Sequence, residues 1–158
     1  MIQHDLDPEP DWLASWVEHR LHETCPVGVG PARLYGLEFI DPGGFVDPSW
    51  PAGRLTFVDE GGDASALALG LSCAEALDRF DALALCVTRW EPATSPLPRP
   101  GGHPVRRRAR VVTVVSDAGA ATALRFDHDT ERVEVWSGLA AAGIAGVQLA
   151  AMWSGRGS

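Results

Sequence analysis

Trp12, Leu13, Trp16, Val17 and Leu21 recur at three- and four-residue spacing, opposite a polar stripe of Ser15, Glu18, His19 and His22. That period belongs to an amphipathic helix with one face on a core. Asp7-Pro8-Glu9-Pro10-Asp11 supplies its start: Asp7 can cap, Pro8 suits the first helical position, and the acids complement the positive end of the dipole. The helix should end near Thr24, before Pro26.

The period then changes. Residues 33–40 (RLYGLEFI) alternate, with Tyr35, Leu37 and Phe39 on one face, and 54–59 (RLTFVD) read as a second strand. Between them, 41–53 form a loop rich in proline and glycine that carries Phe45 and Trp50. Glu60-Gly61-Gly62-Asp63 is a tight turn. In 64–71, Leu67, Leu69 and Leu71 alternate with small residues, and Ser72-Cys73-Ala74-Glu75 has the form of a capping box. This stretch therefore divides into a strand over 64–71 and a helix over 73–80, although alanine and leucine favour helix intrinsically.

Residues 82–90 read as a strand, and the proline-rich 92–104 as an extended surface loop. Three segments at hairpin spacing follow: 106–116, 121–126 and 131–136, separated by the turns DAG and DHDT. Val111 to Val115 is apolar on both faces and belongs at the centre of a sheet. Ser137 can cap a last, small-residue-rich helix over 138–152. The predicted order is α-βββ-α-ββββ-α: an α+β domain with a single antiparallel-dominated sheet and its N-terminal, middle and C-terminal helices packed on one face.

Composition adds limits. The chain has 158 residues, which suits one domain spanning 1–158. Its net charge is −8, and all 13 bases are arginine. Residues 1–63 carry 12 acids against 3 arginines, while 64–158 carry 9 acids against 10 arginines. The asymmetry suits attraction between the halves within the fold. An acidic whole argues against nucleic acid as a partner, because such affinity comes mainly from neutralising phosphates. Cys25, Cys73 and Cys86 form no close pair, so no disulfide framework is expected. The acidic N-terminus lacks a secretory pattern, and the apolar stretch 138–153 is too weak to span a bilayer. A cytoplasmic protein without membrane contact is expected.

Candidate chemistry is sparse. His19, His22 and Cys25 have partial metal-ligand spacing, but no second pair completes a site, and no metal or cofactor is expected. Asp127 to Glu131 lacks the glycine and distant glutamate of a calcium loop and reads as a polar hairpin turn. Pro96 to Pro100 resembles a polyproline ligand but defaults to a rigid loop. The strongest cluster is Arg106, Arg107, Arg108 and Arg110, with no acid between Pro92 and Ser116. In a strand, Arg106, Arg108 and Arg110 share one face. They either grip phosphate or carboxylate, or pair with acids of the first half, or form a charged sheet edge that discourages aggregation.

Three functions remain. The leading expectation is a non-enzymatic module that binds a protein partner or itself, as a homodimer, using Arg106, Arg108, Arg110, Trp50 and Phe45. No constellation of nucleophile, base and orienting group can be assembled from the residues present. The second is a regulatory domain holding a small anion between Arg106, Arg108 and the loop containing His103. The third is an enzyme whose acid/base site only the fold would bring together.

Overall fold

A computed structural model of the chain describes residues 8–24, 27, 30–39, 53–92 and 106–156. The elements run α1 (Pro10–Thr24), β1 (Ala32–Phe39), β2 (Gly53–Gly61), α2 (Ala64–Leu69), α3 (Leu71–Ala76), β3 (Ala82–Pro92), β4 (Arg106–Ser116), β5 (Gly119–Phe126), β6 (Asp129–Ser137) and α4 (Gly143–Gly155). The strands form one six-stranded sheet in the order β2-β1-β3-β4-β5-β6, every neighbour antiparallel. The fold is α+β, with the helices packed against that sheet. The doubly apolar segment Val111 to Val115 lies in β4, between β3 and β5, as its pattern requires.

Both faces of the sheet are apolar, and this corrects the expectation that all helices share one face. Neighbouring strand residues point to opposite sides. Leu34, Leu83, Leu85 and Val115 pack with Leu67, Cys73, Leu77, Phe80, Leu149 and Trp153 from the middle and C-terminal part of the chain. Tyr35, Leu37, Ala84, Val112, Val114, Ala121 and Ala123 pack on the other side with Leu13, Ala14, Val17 and Leu21 of α1. A sheet apolar on two sides needs cover on two sides, so α1 takes one face and α2 to α4 the other.

The segment 64–71 is also corrected: it is helical, broken at Gly70 into α2 and α3. Asp63, read as part of a turn, caps α2 by accepting from the amides of Ser65 (3.0 Å) and Ala66 (3.3 Å). Leucine and alanine then follow their intrinsic preference. The capping box at Ser72 does not form, because Gly70 occupies the cap of α3 and Ser72 lies inside the helix. The last helix starts five residues later than expected, at Gly143, and Ser137 donates to Asp11 of α1 instead of capping it.

Two glycines are set by close approach. The Phe80 ring lies over Gly36, where a Cβ would stand 2.3 Å from ring carbons. Gly143 has φ +73°, and a Cβ there would meet the Arg89 guanidinium, which donates to the carbonyls of Ala141 and Ala142. Gly36→Ala is expected to cost about 1–3 kcal/mol through overpacking of Phe80. Gly62→Ala, with open space around its Cα, should be nearly neutral. Chemical denaturation of the two variants checks this difference.

Candidate functional site

Glu18 belongs to the polar stripe that the periodicity of α1 turns toward solvent, yet it is 0% exposed. It lies one helical turn from Ala14 and from Leu21 on the buried side of α1. Beneath it, Arg110 of β4 and Arg125 of β5 face each other as cross-strand partners. Two cations directly opposite on neighbouring strands repel. The Glu18 carboxylate lies between them and takes charge-assisted bonds from both.

Arg110 donates from Nε to Glu18 Oε2 at 2.6 Å and from Nη2 to Oε1 at 3.2 Å. Arg125 donates from Nε to Oε1 and from Nη1 to the carbonyl of Thr130. Arg110 Nη2 lies 2.9 Å from His22 Nδ1, and Arg125 Nη2 lies 2.9 Å from His19 Nδ1. Both guanidiniums are nearly closed to solvent, at 5% and 3% exposure. Buried charge is tolerated only when paired and hydrogen-bonded throughout, and this arrangement meets that condition.

The arrangement also fixes the histidine tautomers. A guanidinium only donates, so each Nδ1 accepts and each neutral imidazole carries its proton on Nε2. An Nε2–H is a donor, not a metal ligand. Among the described residues no group of three or more His, Cys, Asp or Glu is placed to hold a metal ion, and Cys25 lies outside them. The His22 pKa is pushed below its usual 6.5, first by burial, then by Arg125 and Arg110 and by His19, against an opposing pull from Glu18. Burial raises the Cys73 thiol, keeping it protonated and unreactive.

The arginine strand is thus divided in its roles. Arg110 serves the fold, pairing with an acid of the first half of the chain. Arg108 lays its guanidinium over the exposed Trp90 ring at 5.5 Å. Arg107 is exposed. Arg106 pairs through its backbone with Pro92, but its side chain is outside the described set, as are Phe45, Trp50 and His103. Arg125 escaped the sequence reading. The available signal was a cation inside the apolar run ATALRF, at the strand parity of Ala121 and Ala123.

A second feature lies across the sheet. From Val135 to Gly155 the chain has no charged residue. Within this stretch α4 buries Gly146, Leu149 and Trp153, yet its outer side is also apolar, with Ile144 77% and Val147 46% exposed. A helix on a protein surface ordinarily turns charged or polar residues outward. Trp136 and Val135 of β6, and Leu69 and Leu71 on either side of the α2–α3 break, are exposed as well. Under the C-terminal half of α4 is a cleft of about 400 Å³ lined by Val115, Ala120, Leu139, Ala150 and Trp153 with neighbouring small residues, none of them titratable. No helix among the described residues is long and apolar enough to cross a membrane.

The chain matches no protein-family model, and comparison with curated proteins and with solved structures finds no match either.

Two outcomes test the ion network. Glu18→Gln removes the charge that holds two buried guanidiniums and should cost about 3–5 kcal/mol in denaturant unfolding. For His22, the folded state takes up a proton less readily than the unfolded chain. Its contribution is therefore complete above pH 6.5 and is lost as pH falls through the lower folded-state value. The stability difference between the wild type and His22→Gln should shrink over that interval, as read from unfolding curves at successive pH values.

Proposed function

We propose that the chain is a non-enzymatic protein-interaction module, with the outer face of α4 as its docking surface. The observation that carries this reading is the thirteen-residue α4 without a single charge, which leaves Ile144 and Val147 in water. Large apolar side chains gathered on an uncharged surface mark contact sites more often than chance exposure, and the centres of protein interfaces are depleted in charge. The rest of this acidic chain has charge to spend on solubility. The bare helix therefore argues for a partner that excludes water from it.

The anion-binding reading has less support. It rests on Arg106, Arg108 and the loop of His103, and of these only the Arg108 side chain lies among the described residues, where it stacks on Trp90. The enzyme reading lacks an acid/base pair around the cleft beneath α4.

Ile144→Glu with Val147→Glu tests the proposal, because surface substitutions of this kind leave stability within about 0.5 kcal/mol. In affinity capture against extracts of the native cells, a specific protein held by the wild type should be lost by the double variant, with the unfolding midpoint unchanged. Capture of the same proteins in the same amounts by both chains contradicts the reading.

A further inference from the structure

We infer that the partner docking on α4 is a second copy of this chain, the two helices packing antiparallel about a two-fold axis. The inference rests on the interaction reading and names its partner, and the experiment below separates the failure of one from the failure of the other.

The outer side of α4 has a spacing of its own. Ile144, Val147, Ala151 and Ser154 are all exposed, while Gly146, Leu149 and Trp153 are buried on the opposite side. Steps of three, four and three residues align these four exposed positions in one narrow strip. That spacing is the seam along which two helices interlock. A helix that only covers a sheet needs a single apolar stripe, and the positions facing water then carry charged or polar residues. Here a second uncharged stripe lies behind the first, and the sheet fills only one of them.

The order of sizes along the strip identifies its occupant. Ile144 and Val147, toward the N-terminus, are large, whereas Ala151 and Ser154 are small. Parallel copies would set Ile144 against the partner's Ile144 and Ser154 against the partner's Ser154, crowding one end and leaving the other loose. Antiparallel copies set Ile144 against the partner's Ser154 and Val147 against the partner's Ala151. The two-fold axis makes each contact twice, so every layer joins a large side chain to a small one, and such layers interdigitate. The helix dipoles then run in opposite senses, each positive end beside a negative one.

Charge supports the same partner. Each copy carries a net −8, so two copies repel wherever their acids approach. The stretch from Val135 to Gly155 has no charge, and α4 lets two copies meet without opposing like charges. A different protein selected to recognise an acidic molecule would meet it with basic groups, and α4 gives such groups nothing to pair with. Beside α4, α2 packs on the same face of the sheet, and exposed Leu69 at its end adds apolar surface to that layer. The seam runs only about 15 Å from Ile144 to Ser154 at helical rise, so the dimer is reversible and depends on concentration.

Sedimentation velocity over a wide concentration range tests the pairing. The wild type should dimerise, and more tightly as salt screens the two acidic bodies. Val147→Glu should weaken the dimer at least about tenfold by drawing two charges into the seam, and Ala151→Arg should do the same. Both substitutions in one chain should recover most of the lost affinity, because antiparallel packing sets each carboxylate against a guanidinium of the other copy. Parallel packing would oppose like charges and weaken the dimer further. Unfolding midpoints close to that of the wild type show that the variants fold. A chain monomeric at every concentration overturns the inference, and the capture experiment still decides the interaction reading. A dimer unchanged by Val147→Glu, or one that the paired substitution does not rescue, also overturns it.

Discussion

Between α1 and the sheet, the Glu18 carboxylate is placed where two guanidiniums from adjacent strands converge. Without that negative charge, Arg110 and Arg125 would face each other across the β4–β5 ladder in a nearly dry layer, an arrangement that repulsion and desolvation both oppose. With it, the first helix and two central strands share one set of charge-assisted bonds. An apolar stripe alone lets a helix slide or rotate on a flat sheet. A single acid that must meet two cations fixes the rotation of α1 about its axis and its position along the strands. Buried ion pairs commonly do little better for stability than a packed apolar replacement, whereas removing one partner alone is strongly destabilising.

Much of this was open to sequence reasoning, and the losses have particular causes. The N-terminal helix, the hairpins of β4 to β6 and the central position of Val111 to Val115 follow from periodicity, because each buries a side set by its local pattern. The segment 64–71 misled because its leucines alternate with small residues, a pattern compatible with a strand. Its backbone is helical once Asp63 satisfies the first amides. Helices on both faces follow from strands that are apolar on both sides, a pattern plain in β4 and shared by β1 and β3. The period of α1 turns Glu18 toward water, where charge on a helix is usually solvated. Its partners are 92 and 107 residues away, beyond any local window.

The uneven charge of the chain has a structural counterpart. The acid of α1 meets arginines from the second half of the chain. Asp11 likewise accepts from Ser137 at the end of β6. The last of these contacts, at Ser137, already lies within the charge-free stretch from Val135 to Gly155. Order and contact are thereby separated on the molecule: polar chemistry secures α1 on one face, and an uncharged helix is displayed on the other.

The central claim is that Glu18, Arg110 and Arg125 act as one unit that seats α1. A thermodynamic cycle tests it most directly: equilibrium unfolding of Glu18→Leu, of Arg110→Leu with Arg125→Leu, and of all three substitutions together. If the three groups are coupled, the triple variant is more stable than Glu18→Leu, because removing the arginines relieves the unpaired charge which that change leaves behind. If the losses simply add, the three charges stabilise the fold independently and the carboxylate is not what holds the helix in place.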